Sequence, residues 1–116
     1  LIQVFENLLN NAFEALNLSN KPFIKLSTKF VYGETVKIPN IKESQKKNYI
    51  LIKIEDNGSG IKKNELSKIF LPFFSTKKRG SGIGLYLVKR IINLHDGQIS
   101  VNCTDNLTSF RIKLPL

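Results

Sequence analysis

From Tyr49 to Glu55 the residues alternate, with Ile50, Ile52 and Ile54 on one face and Leu51, Lys53 and Glu55 on the other. That is the period of a half-buried β-strand, and the isoleucine face is the buried one. One more step of the alternation puts Asp56 on the buried side, with Gly58 and Gly60 directly after it. A carboxylate at the mouth of an apolar face needs a donor, because an unpaired buried charge costs several kcal/mol. A purine amino group meets that need, and glycines allow a flat ring to approach the backbone closely. An Asx-type turn, made of the common turn residues Asp, Asn and Gly, accounts for the same stretch.

Other elements follow from the remaining periodicities. Leu1 to Leu18 reads as an amphipathic helix, with Ile2, Phe5, Leu8, Leu9, Ala12, Phe13 and Leu16 as its apolar half. Poor helix formers from Asn17 to Pro22 end it. Phe23 to Tyr32 alternates as a strand, and residues 33–48 read as a long exposed hairpin loop. Asp56 to Ser67 forms a loop with one helical turn, followed by an apolar cluster from Lys68 to Phe74 that Pro72 interrupts. Leu85 to Leu94 is a second helix with Gly97 as its left-handed cap. Gln98 to Cys103 and Leu107 to Leu114 close the chain as a hairpin turning at Asp105 and Asn106.

Composition narrows the classes of function. With 116 residues, 41% hydrophobic and 23% charged, the chain has the makeup of one soluble globular domain. Its single cysteine, Cys103, cannot form an internal bridge, so a reducing, cytoplasmic setting is expected. No apolar run approaches the ~20 residues that cross a bilayer, and this segment is expected to make no membrane contact. The chain opens on Leu1 inside a helical pattern and has no Met, which reads as a piece of a longer protein. The formal net charge of +9 is uneven, about +2 in residues 1–58 and +7 in residues 59–116. An anionic partner, a phosphate ligand or a merely Lys-rich composition fits that balance.

Two further features carry chemistry. Asn7, Asn11 and Glu14 share one edge of the first helix at i, i+4, i+7 spacing. Asparagine costs roughly 0.5 kcal/mol against alanine in a helix interior. Either these residues form an ordinary solvated face, or an amide oxygen serves as a hard ligand of the kind Mg²⁺ takes. Ser75 to Gly84 reads Ser-Thr-Lys-Lys-Arg-Gly-Ser-Gly-Ile-Gly, three cations and three alternating glycines ahead of a helix. Converging backbone amides at a helix start attract phosphate, and Lys77, Lys78 and Arg79 neutralise charge. A basic exposed loop is the other reading.

Four segments occur in order: Asn-Leu-Leu-Asn-Asn-Ala (7–12), Asp-Asn-Gly-Ser-Gly-Ile (56–61), Ile-Phe-Leu-Pro-Phe-Phe-Ser-Thr-Lys (69–77) and Gly-Ser-Gly-Ile-Gly-Leu (80–85). Together they resemble the asparagine, first glycine, phenylalanine and second glycine boxes of a sensor histidine kinase ATP-binding domain. That family shares a superfamily with gyrase, the heat-shock chaperone and mismatch-repair ATPases, and the short lid is similar to the nitrogen-regulation type. The resemblance covers nearly the whole chain, residues 1–116, as one catalytic domain lacking its upstream dimerisation and phosphoacceptor part. It implies an α+β, two-layer sandwich of Bergerat type, a mixed, largely antiparallel sheet with helices on one face and without its first strand.

The same resemblance implies the site. Asp56 would bind the adenine amino group, Gly58, Gly60 and Ile61 would shape its pocket, and Asn11 would ligate Mg²⁺. Asn7 would contact phosphate or metal-bound water. Thr76, Lys77, Arg79 and Gly80 in the lid, with Gly82, Gly84 and Leu85 at the second helix, would surround the triphosphate. Phe70 belongs to the same ATP-binding set, with Phe70, Phe73 and Phe74 securing the lid. Glu14 departs from the family pattern, standing where many relatives have lysine, with Lys77 as the compensating cation. The activity implied is transfer of the ATP γ-phosphoryl group to a histidine outside the chain, since the sole histidine, His95, matches a position that is not phosphorylated. Partners implied are the protein's own dimerisation domain, in a homodimer, and a downstream response regulator, with no nucleic acid. The rivals are an ATP-hydrolysing clamp of the same superfamily, a non-catalytic nucleotide- or protein-binding module, and a nucleic-acid-binding domain driven by the +7 charge of residues 59–116.

Overall fold

The computed structural model describes residues 1–16, 21–37, 44–75 and 82–116, with backbone alone for 34–37 and 44–46. Two helices, α1 (Ile2–Ala15) and α2 (Gly84–Leu94), accompany four strands: β1 (Ile24–Lys37), β2 (Ser44–Asp56), β3 (Gln98–Thr104) and β4 (Leu107–Pro115). The strands form one sheet in the order β1-β2-β4-β3, and every pairing among the described residues is antiparallel.

Register explains the core. Ile52 faces Ile112 and Ile54 faces Phe110 across β2 and β4, while Ile99 and Val101 of β3 face Ile112 and Phe110. The helices pack on this face through Val4, Leu8 and Ala12 of α1 and Val88 and Ile92 of α2. The result is the two-layer α+β sandwich that the resemblance implied, with both helices on one face.

The structure corrects three local expectations. The buried stripe of α1 is Val4, Leu8 and Ala12, whereas Ile2 and Phe13 are 78% and 72% exposed. Only one stripe of the helix meets the sheet layer, with Phe5 packed beside it, so Ile2, Leu9 and Phe13 are left exposed. Residues 33–48 are not simply a loop, because the β1–β2 ladder continues past a bulge between Val31 and Glu34 to the pair Lys37–Ser44. At the end of α2 the left-handed residue is Asp96 (φ 58°), not Gly97. Asp96 N–H donates to Asn93 O (3.0 Å) and Gly97 N–H to Ile92 O (2.9 Å), the pair of bonds of a Schellman motif. Gly97 is required for a different reason, since a Cβ there would stand 2.6 Å from Lys113 O.

The β3–β4 turn is as expected. Asp105 (φ 50°) and Asn106 (φ 63°) both adopt left-handed backbone, which matches a two-residue type I′ hairpin. In the loop after β2, Glu65 N–H and Leu66 N–H both donate to Lys62 O, giving the single helical turn.

Candidate nucleotide site

The alternation of β2 carries Asp56 onto the helix-covered face, where it is 2% exposed. Gly58 N–H donates to Asp56 Oδ1 at 2.9 Å, so the Asx turn and the buried carboxylate are one feature rather than alternatives. Burial pushes the Asp56 carboxyl above its ordinary range, and the Gly58 N–H partly offsets that.

Close packing holds the loop after Asp56 in place. Ser59 N–H donates to Ala15 O (2.8 Å) at the end of α1. A Cβ on Gly58 would collide with that same Ala15 carbonyl. Gly60, at φ 75°, turns the chain back over the end of the sheet.

These elements enclose a cavity of about 420 Å³. Asp56, Thr108 and Phe110 line it from the sheet, Asn11 and Ala12 from α1, and Gly60, Ile61 and Ile69 from the loop after β2. Gly82, Gly84 and Leu85 close the far side at the start of α2. A cleft of about 760 Å³ adjoins it through the shared residues Ser59, Gly60 and Ile61 and runs past Gly58 to the β3–β4 turn.

Thr108 is the functional candidate that sequence reasoning missed. It is the register partner of Asp56, is 4% exposed, and lines the same cavity. A lone Thr in a strand gives no local signal, and only the cross-strand register joins it to Asp56. Phe74 and Glu65 also line the cavity and were not among the expected site residues.

The N-terminus of α2 opens on the cavity without a side-chain cap and without an acidic residue in its first turn. The positive end of its dipole thus faces the cavity with no acidic side chain in its first turn to offset it. Gly82, at φ 71°, accepts from Phe73 N–H (2.9 Å), and a Cβ on it would meet the Phe73 backbone at 2.5 Å. This contact joins residues on either side of the segment from about Phe74 to Gly80 that the resemblance implies as a lid.

Of the other expected residues, Asn7 sits at the seam between the helices, where its Nδ2 donates to Gly84 O at 3.3 Å. Phe70 faces the core rather than the cavity, edge-on to Phe110 with centroids 6.4 Å apart and beneath Lys89. Thr76, Lys77, Arg79 and Gly80 lie outside the described residues. Among the described residues no group of three His, Cys, Asp or Glu side chains could hold a metal. A divalent cation here would rest on Asn11 and on the anion it accompanies. That fits Mg²⁺, which prefers hard oxygen ligands and keeps water and substrate phosphates in its shell.

Comparisons with known proteins identify the family. The family model of histidine kinase-, DNA gyrase B- and HSP90-like ATPases matches residues 1–116. The chain is 39% identical over 116 residues to the sensory histidine kinase/phosphatase NtrB of Rhodobacter capsulatus, covering all of this chain and 32% of that protein. It is 36% identical over 116 residues to NtrB of Azospirillum brasilense, covering all of this chain and 28% of that protein. The chain thus spans about a third of the length of these curated relatives. Among solved structures, the nucleotide-free catalytic domain of the histidine kinase ThkA superposes with a TM-score of 0.74 at 29% identity, over 97% of this chain and 64% of that one. The chain therefore belongs to the histidine kinase-, DNA gyrase B- and HSP90-like ATPase family, with sensor histidine kinases of the NtrB kind among its relatives.

Proposed function

We propose that this chain binds Mg-ATP and presents the γ-phosphoryl group to a histidine on an upstream dimerisation helix, as the catalytic domain of a two-component sensor kinase. The observation that carries this reading is the cavity itself, with a buried carboxylate at one end and an uncapped helix N-terminus at the other. Asp56 accepts from the adenine amino group, and Thr108 beside it supplies a hydroxyl that both donates and accepts. The α2 N-terminus receives the phosphates, with Lys77 and Arg79 completing the charge balance. Asn11 supplies the protein ligand for Mg²⁺, whose charge offsets that on the transferring oxygens.

In the transfer, the bond between the γ-phosphorus and the β,γ-bridging oxygen breaks, a nitrogen–phosphorus bond forms on the acceptor imidazole, and ADP leaves. The domain positions and neutralises rather than attacking. Asn7 favours transfer over hydrolysis, since a carboxamide is far too weak a base to take a proton from an attacking water. Homodimerisation through the upstream helix, a response regulator as the next acceptor and a cytoplasmic location belong to the same proposal.

Titration calorimetry of ATP with and without Mg²⁺ tests the site. Asp56→Asn is expected to weaken binding and Asn11→Ala to remove its dependence on the metal, whereas unchanged affinity in both would overturn the assignment. Radiolabelled ATP tests the transfer. Label is expected on an added upstream segment that carries the acceptor histidine and not on His95.

A further inference from the structure

The face of the sheet turned away from the helices has its own charge pattern. Register places Lys25, Glu55 and Ser109 in one row across β1, β2 and β4. Ser27, Lys53 and Arg111 form the next row, and Lys29, Leu51 and Lys113 the one after. Four cations, Lys29, Lys53, Arg111 and Lys113, therefore surround Leu51 on an open sheet face. Glu55 is the one acidic side chain in these rows, and it lies 3.7 Å from Lys53 Nζ.

Lys53 and Arg111 stand directly opposite each other. Like charges at such a position destabilise an antiparallel pair, and within these rows the Glu55 carboxylate offsets only the Lys53 member, so a further anion over the face would relieve the rest. We infer that this outer face is a docking surface for an acidic protein segment, its carboxylates meeting the four cations and an apolar side chain seated on Leu51.

The chemistry of the face favours protein over the other polyanions. An apolar centre inside a charged rim is the anatomy of a protein interface. Single-stranded nucleic acid binds on exposed aromatic platforms. The aromatic in these strands on this face, Tyr49, is 7% exposed with Lys113 Nζ 5.0 Å from its ring centroid. An anionic membrane would draw on side chains able to insert, and the exposed Phe13 and Phe30 belong to the helix-bearing side.

The test uses ¹⁵N-labelled chain titrated with poly-L-glutamate, with oligodeoxythymidylate and phosphatidylserine vesicles as competing probes. Poly-L-glutamate is expected to shift amide resonances of β1, β2 and β4 around Leu51 and leave those of Asp56, Gly60 and Gly84 in place. The double variant Lys53→Gln/Arg111→Gln should weaken its binding about tenfold, the effect of two exposed ion pairs, with ATP affinity unchanged. Lys63→Gln/Lys68→Gln removes the same charge elsewhere and should cost less than about twofold, since distant exposed charges are screened. Should the first double variant lose its spectral dispersion, Arg111→Gln alone is read instead, with about a threefold loss expected. Equal losses in the two double variants would reduce the effect to net charge and overturn the inference. So would shifts that map to the nucleotide cavity, or tighter binding of the oligonucleotide or the vesicles through the same residues.

Discussion

Asp56 and Thr108 face each other across β2 and β4, and both side chains are buried at the cavity floor. A carboxylate that only accepts stands beside a hydroxyl that donates and accepts, so the pair presents both kinds of hydrogen-bonding group at the cavity floor.

Asp56→Asn should separate binding from stability. The amide keeps an acceptor for Gly58 N–H but presents a donor to the adenine amino group, so ATP affinity should fall roughly 10- to 100-fold, the effect of losing a buried hydrogen bond to a charged group. Without nucleotide the same variant should be more stable at neutral pH. Burial raises the folded-state pKa of Asp56 above its ordinary 3.8, so between 3.8 and that raised value the folded chain holds more protons than the unfolded one. Wild-type stability then declines as pH rises through this window and stays lower above it. Thermal melts from pH 3 to pH 8 should show the variant's advantage appearing across the window and vanishing below 3.8. An advantage that persists below it would mean the carboxylate is not its source.

Thr108→Val preserves shape and removes the hydroxyl. ATP affinity should drop about three- to tenfold, one neutral hydrogen bond, with the melting temperature little changed. The substitution also removes the contact of Thr108 Oγ1 with Cys103 Sγ at 3.6 Å, so thiol reactivity of Cys103 is a second readout at the same position.

The two asparagines should behave differently. Asn7→Ala loses the bond to Gly84 O and should cost about 1 kcal/mol of stability, measured by urea unfolding, because it unties α1 from α2. Asn11→Ala should remove the Mg²⁺ dependence of ATP binding, read by titration calorimetry with and without the metal.

Gly58→Ala should be more damaging than an exposed loop position would suggest. Its Cβ would occupy the space of Ala15 O, which already accepts from Ser59 N–H, and a backbone carbonyl at a helix end cannot turn aside. A loss of about 2 kcal/mol or more is expected in denaturant unfolding, together with weaker ATP binding as the loop shifts.

Much of the site was legible because it rests on local periodicity. Alternation over Ile50, Ile52 and Ile54 carried Asp56 to the buried face, and the structure places it there. Both helices and the Asp105–Asn106 turn also follow from short-range dihedral preferences. The α1 stripe was less legible, since the helical pattern fits several apolar faces and only the opposing layer selects Val4, Leu8 and Ala12.

The sequence by itself determined the elements, their order and the four motifs, because backbone period and turn chemistry are decided within a few residues. Tertiary structure alone decided which distant residues meet: Thr108 beside Asp56, Asn7 on Gly84 O, and Lys53 opposite Arg111 on the open face. Those meetings depend on strand register and layer packing, which are settled by closing contacts between residues more than fifty positions apart.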